Sequence, residues 1–143
     1  MGALSSMNTK TKPKLSIENA QAELDKLIDY YEIDLEDLPS SAKDGIEAVM
    51  KKMVKFIRLG RLEIKIEDGI QCIQTLRDSE TKITYKELNG KAKTAMGSKK
   101  ETDQHGRLFA LLGALSDGER VIHQLKGPDL SLAECLGGLF LLV

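Results

Sequence analysis

The sequence predicts a mainly helical α+β domain with one β-hairpin at about residues 62–76. Most apolar residues recur every three or four positions, which is the spacing of one face of a helix. From residue 62 the period changes to two, and an Asp68-Gly69 pair stands in the middle of this stretch. Because an Asp-Gly pair supplies the positive φ angles of a tight turn, the stretch is typical of a hairpin.

Two helices are predicted before the hairpin. Ser16 is the expected N-cap of the first, since apolar residues then follow at helical spacing. An acidic connector that Pro39 closes separates it from the second helix, which begins at Ser41 and ends before Gly60. The residues expected on the buried face of the second helix are Ile46, Val49, Met50, Met53 and Ile57.

Three to four helices are predicted after the hairpin. Ile83 is a candidate short strand, and Thr84 to Glu87 has the form of a capping box that opens a helix. Thr102 is the expected cap of a very apolar helix, and Ser116 to Glu119 has the form of a second capping box. The last helix covers about residues 129–142.

A length of 143 residues is the size of one domain. We expect a disordered tail over residues 1–15 and a single domain over residues 16–143. Within this domain, residues 16–60 form a helical pair, and residues 61–143 contain the hairpin and the C-terminal helices.

The charge balance disfavours anionic partners. The chain has 21 basic and 22 acidic residues, and a net charge of -1 produces no field that gathers nucleic acid or anionic lipid. No apolar run reaches the length of a membrane span, and no apolar leader is visible at the N-terminus. The expectation is a cytoplasmic protein with no nucleic-acid and no membrane partner.

Residues with catalytic or metal-binding chemistry are few. His105 and His123 are the only histidines, and neither belongs to a metal-binding motif. Glu63 and Glu67 alternate with Lys65, which indicates a solvated strand face with charge pairing. No glycine-rich phosphate loop is present. We therefore expect no enzyme activity, catalytic residue, cofactor or metal.

Two further groups of residues have ordinary structural interpretations. Cys72 and Cys135 each stand among apolar neighbours, which predicts buried reduced thiols. A basic cluster over residues 91–100 would suit a small DNA-binding regulator, the alternative function, although a solvated loop is the favoured interpretation. The lysines of this cluster are Lys91, Lys93, Lys99 and Lys100.

Several features are typical of a protein that binds partners. Met50 and Met53 are adaptable apolar side chains that suit either an interface or the core. A hairpin alone has unpaired edges, so we expect a helix of the same chain or a neighbouring protomer to cover one edge.

The last helix is apolar on two faces, which predicts one face in the core and the other on a partner or a second protomer. The stripe expected inside is Leu130, Ala133, Leu136 and Phe140. The stripe expected to bind a partner is Leu132, Cys135, Leu139 and Leu142. A homo-oligomer is the expected assembly.

The order of elements resembles the small tail assembly chaperones of tailed bacteriophages and prophages. The similarity covers about residues 62–143 and is one of polarity pattern. Its parts are LEIKIEDGIQCIQTLR (62–77), ITYKELNGKAKTAM (83–96), GRLFALLGALS (106–116) and HQLKGPDLSLAECLGGLFLLV (123–143).

The resemblance implies a non-enzymatic protein of the bacterial host cytoplasm. Proteins of that family coat the long helical tape-measure protein before the tail tube polymerises, and some have a longer form made by ribosomal frameshifting. The expected partner is therefore the tape-measure protein or another tail component.

Overall fold

Within residues 15–143, two helices precede the strands and four helices follow them. The computed structural model describes residues 15–143, and helices make up 55% of them. Together with a three-stranded antiparallel sheet, this confirms the predicted α+β class. The elements are α1 (Ile17–Tyr30), α2 (Ser40–Arg58), β1 (Leu62–Ile66), β2 (Ile70–Thr75), β3 (Lys82–Tyr85), α3 (Gly90–Gly97), α4 (Gln104–Leu115), α5 (Glu119–His123) and α6 (Pro128–Phe140).

Of the predicted N-terminal tail, only Leu15 lies within the described residues; residues 1–14 lie outside them. Its backbone N–H donates to the carbonyl oxygen of Arg58 at 3.3 Å, and its own carbonyl oxygen accepts from Arg58 Nε at 3.2 Å. Leu15 is therefore held at the C-terminal end of α2.

The predicted hairpin is formed by β1 and β2. The strand pairing runs from Leu62 opposite Gln74 to Ile66 opposite Ile70. The turn contains the three residues 67–69 where an Asp-Gly pair predicted two, and Asp68 and Gly69 both have positive φ, 52° and 107°. The Asp-Gly pair thus predicted correctly where the turn lies. Because Ile66 pairs with Ile70, the turn is one residue longer than predicted.

The predicted capping box at Thr84 to Glu87 is wrong. Thr84 and Tyr85 belong to β3, which pairs with β2 and confirms the candidate strand at Ile83. The helix begins only at Gly90, where the Asn89 side-chain oxygen accepts from the backbone N–H of Ala92 at 2.9 Å. A backbone that is already hydrogen-bonded to a neighbouring strand is not available for a helical turn.

The other predicted caps have mixed outcomes. Ser16 caps α1, with its hydroxyl oxygen 3.1 Å from the backbone nitrogen of Asn19. Thr102 does not cap α4; Asp103 does, since its carboxylate accepts from the Gly106 N–H at 2.9 Å. Ser116 makes no capping box either, because its hydroxyl donates back to the carbonyl oxygen of Leu112 at 2.8 Å.

The core lies between one face of the sheet and the helices. α1 and α2 contact β1, α4 contacts β3, and α6 contacts both α2 and α4. Phe140 of α6 packs edge-on against Tyr31, with ring centroids 5.8 Å apart. Among the helices of residues 15–143, none has the length and apolar character that a bilayer crossing requires. The buried apolar residues of the sheet are Leu62, Ile64, Ile70, Cys72, Ile83 and Tyr85.

One buried polar chain of hydrogen bonds joins the sheet to α6. Gln74, in the central strand, is fully buried. Its side-chain oxygen accepts from the Tyr85 hydroxyl at 2.8 Å, and its side-chain nitrogen donates to the carbonyl oxygen of Asp129 at 2.8 Å. Because a buried amide without partners is costly, these contacts fix how α6 begins above the sheet.

We expect Tyr85→Phe to lower the free energy of unfolding by about 1–3 kcal/mol, because it leaves the buried side-chain oxygen of Gln74 without a donor. The control is Tyr30→Phe, since the Tyr30 hydroxyl donates to the exposed carboxylate of Glu87 and its loss leaves stability nearly unchanged. Urea unfolding of both variants measures the difference. Equal stabilities of the two variants would contradict the role given to Gln74.

Gly113, near the end of α4, allows α4 and α5 to approach closely. A Cβ atom there would collide with the backbone of Gly118 and Glu119. Backbone atoms of a neighbouring element cannot swing aside as a side chain does. The close approach of α4 and α5 therefore requires a glycine at residue 113.

Two Gly→Ala substitutions should have opposite effects on stability. Gly113→Ala should destabilise the protein by about 1–3 kcal/mol through overpacking. Gly45→Ala, inside α2 with open space around its Cβ position, should stabilise it by about 0.5–1 kcal/mol through helix propensity. Thermal melts test both, and a stabilised Gly113→Ala variant would show that α5 moves away without cost.

Candidate functional site

The candidate functional site is an open apolar groove along α2, which we call the α2 groove. Its floor is Ile46, Met50 and Val54, all half-buried. It consists of two adjoining cavities of about 580 and 330 Å³ that share Glu47 and Met50. The apolar walls are Ile17 at one end and Leu35 and Leu38 at the other.

The spacing of α2 explains the groove. Residues 46, 50 and 54 are four positions apart, so their side chains lie one above the other on one face of the helix. At 1.5 Å per residue this stripe is about 12 Å long. Met53, Phe56 and Ile57 lie on the adjoining face and are buried in the core. α2 therefore carries two apolar stripes; the core covers one of them fully and the other only in part.

The charged rim of the α2 groove is unevenly distributed. Lys51, Lys55 and Arg58 line the end near Ile17, where Glu47 is the only acidic lining residue. The other end has both signs of charge. The groove thus combines an apolar floor with a positive rim at one end.

The sequence placed Met50 and Met53 on the same face of the helix, and the structure separates them. Met53 is fully buried in the core, whereas Met50 is half-buried in the floor of the α2 groove. Ile17, the first apolar residue after the Ser16 cap, is 58% exposed. The face predicted to be buried included Ile46 and Met50 but not Val54, so the four-residue spacing of 46, 50 and 54 is the signal that sequence reasoning missed.

The predicted division of α6 into an inner and an outer stripe is wrong for three of the four outer residues. Leu132, Cys135 and Leu139 are 1%, 5% and 0% exposed, and only Leu142 is half-buried. The physical reason is that α2 and α4 both contact α6, so that the core surrounds it. Leu136 and Phe140 of the inner stripe are also buried, as expected.

Two lysines of the basic cluster at residues 91–100 make contacts within the chain, and one of these contacts is an ion pair. Lys99 forms an ion pair with Glu119 at 3.1 Å, and Lys93 Nζ donates to the carbonyl oxygen of Val143 at 3.1 Å. A hydrogen bond from His123 and the contact with Lys99 lower the pKa of the Glu119 carboxyl. Lys91 and Lys100 are exposed.

The histidines and the hairpin carboxylates lie apart from the α2 groove. His105 Nε2 is 3.6 Å from Glu134, and His123 Nε2 is 3.2 Å from Glu119. Glu63 and Glu67 lie on the exposed side of β1 and its turn. In the part of the chain that the structure describes, no group of three potential metal ligands comes together.

Both thiols are buried and protonated. Burial raises the pKa of Cys72 to about 12, and burial also raises the pKa of Cys135. The same cause raises the pKa of Tyr31 to about 12 and that of Tyr85 further. All four groups are therefore held in the neutral form by the core.

Comparison with known protein families, with characterised proteins and with solved structures finds no match to this chain.

The raised pKa values of the Cys72 thiol and the Tyr31 hydroxyl predict a loss of stability at high pH. Native Cys72 and Tyr31 keep their protons up to about pH 12, whereas the unfolded chain releases them from about pH 9 and 10. The stabilisation by Cys72 is thus complete below about pH 9 and that by Tyr31 below about pH 10. Each is lost from there up to about pH 12, at about 1.4 kcal/mol per pH unit.

Urea unfolding over this pH range measures the loss. The variant Cys72→Ala should have the smaller slope with pH, because one titrating group is removed. Identical slopes for the variant and the wild type would contradict the burial of the Cys72 thiol.

Proposed function

We propose that this protein is an assembly chaperone of a tailed phage or prophage, and that it binds a helical segment of the tape-measure protein in the α2 groove. The observation that carries the proposal is an apolar stripe of Ile46, Met50 and Val54 that is only half-buried and lines two adjoining cavities. The proposed place of action is the cytoplasm of the bacterial host.

The dimensions of the α2 groove suit an amphipathic helix. A floor about 12 Å long corresponds to about two turns of a bound helix, which would place two or three apolar side chains along it. Met50 lies where the two cavities join, and its unbranched side chain adapts to different apolar neighbours. Such a floor suits a partner whose helical sequence varies along its length.

The rim adds a charge preference. Lys51, Lys55 and Arg58 favour a helix that carries acidic residues beside its apolar stripe. Rim charges mainly affect the association rate and its dependence on salt, while the floor determines the dissociation rate.

Two independent observations support the proposal. The resemblance to tail assembly chaperones lies in residues 62–143, whereas the α2 groove is built by the helices before β1. The alternative, a small DNA-binding regulator, depends on the lysines of residues 91–100. The ion pair of Lys99 with Glu119 reduces the charge available for phosphate there.

We expect Met50→Glu to weaken binding of a tape-measure helix by roughly tenfold or more, since it places a charge on the apolar floor. The matched control is Ala48→Glu, which adds the same charge at an exposed position of α2 outside the groove. Titration calorimetry with synthetic segments of the tape-measure protein from the same phage gives the affinities, and circular dichroism verifies that both variants fold.

Equal affinities of the Met50→Glu and Ala48→Glu variants would contradict the assignment of the groove. Absence of binding to every tape-measure segment would contradict the function itself. Tight retention of duplex DNA that weakens steeply with salt would favour the regulator, because phosphate contacts release counterions.

A further inference from the structure

Within residues 15–143, no strand pairs with the outer edge of β1. The strand order is β1-β2-β3, so among these residues β1 has a hydrogen-bonded neighbour on one side only. A cleft of about 590 Å³ begins at this edge, at Leu62 and Ile64, and continues across the exposed face of the sheet to Lys82 of β3, with Glu23 of α1 also on its wall. The described residues therefore leave space beside this edge.

The backbone groups on this edge can be identified from the hairpin register. The Thr75 N–H donates to Arg61, and the Glu67 N–H donates to Gly69, so the odd-numbered residues of this segment face β2. Hydrogen-bonded and non-bonded pairs alternate along an antiparallel ladder. Leu62, Ile64 and Ile66 consequently direct their N–H and C=O groups outward, and no hydrogen bond to them exists within residues 15–143.

The side chains along the edge are self-complementary in charge. Residues 61–67 read Arg-Leu-Glu-Ile-Lys-Ile-Glu, so positive and negative charges alternate on the exposed face of β1. When this segment is laid antiparallel to a copy of itself around Ile64, Glu63 stands opposite Lys65 and Arg61 stands opposite Glu67. Opposite charges directly across two strands are stabilising, and like charges are destabilising.

We propose that β1 pairs with β1 of a second copy of this chain, antiparallel and with a two-fold axis at Ile64. The two Ile64 residues exchange two hydrogen bonds, and each of the two Leu62–Ile66 pairs exchanges two more, which satisfies every outward group of the strand. The result is a continuous six-stranded sheet with the order β3-β2-β1-β1-β2-β3.

In other registers of the β1–β1 pair, fewer of the outward N–H and C=O groups form hydrogen bonds. Centring the pair on Leu62 or on Ile66 also brings opposite charges together, but it moves part of each strand beyond the end of the other. The half-exposed Ile66, at 46% of its surface, gains Leu62 of the second copy as a neighbour only in the register centred on Ile64.

The proposed contact is small, because five residues of edge strand bury much less than the roughly 1,600 Å² of a standard interface. We therefore expect a dimer that dissociates on dilution. This pairing does not involve the α2 groove, so it is independent of the proposed function.

Charge-reversed variants test the pairing. Glu63→Lys and Lys65→Glu each place like charges opposite one another in the homodimer, and each should weaken it by roughly tenfold or more. Mixing the two single variants restores complementary charges and should give a heterodimer. Lys91→Glu, which reverses an exposed charge on α3 outside this cleft, is the control that keeps the dimer. Sedimentation velocity over a range of concentrations gives the assembly state of each.

Hydrogen exchange gives a readout that folding alone does not change. The amides of Leu62, Ile64 and Ile66 should be protected only at concentrations where the dimer forms, whereas those of Glu63 and Lys65 should be protected throughout.

Three results would overturn the proposal. The first is that the wild type stays monomeric at the highest attainable concentration. The second is that the single variants dimerise as well as the wild type. The third is that the amides of Leu62, Ile64 and Ile66 are protected in the monomer. The last would mean that the same chain covers its own edge.

Discussion

The buried side chain of Gln74 is the contact on which the arrangement of sheet and helices depends. It accepts from Tyr85 in β3 and donates to the backbone of Asp129 at the start of α6, so three elements distant in sequence meet at one amide. The Asp129 carboxylate in turn accepts from the backbone N–H of Arg77 at 3.4 Å. A shift of one residue in the register of β2 would turn this amide to the exposed face and leave the start of α6 without its partner.

The position of α6 follows from this anchor and explains its composition. A helix that starts above the sheet and contacts both α2 and α4 has little surface left for water, and apart from Glu134 its residues from Leu132 to Phe140 are accordingly apolar. Leu132, Cys135 and Leu139, which the sequence placed at an interface, lie in the core. α2 instead carries a half-buried apolar stripe, because its two stripes cannot both face inward.

Local signals predicted the parts of the fold that local physics determines. The hairpin, the Ser16 cap and the limits of most helices follow from spacing and turn chemistry over a few residues. The capping box at Thr84 failed because pairing with β2 decides the backbone there, and pairing partners are not visible in a single stretch of sequence. Two other predictions failed for the same reason, because burial depends on which elements pack around a helix. They are the outer stripe of α6 and the placement of Met50 and Met53 on one buried face.

The two edges of the sheet differ, and this difference limits how the molecule can associate. Just beyond β3, the Lys86 N–H donates to the carbonyl oxygen of Leu115 at 2.8 Å, so the end of α4 stands beside that edge. Long, flat sheets with two open edges are the ones that add strands indefinitely and form fibres. A sheet that can extend on one side only reaches a closed assembly after a single addition, which protects a concentrated protein from polymerisation.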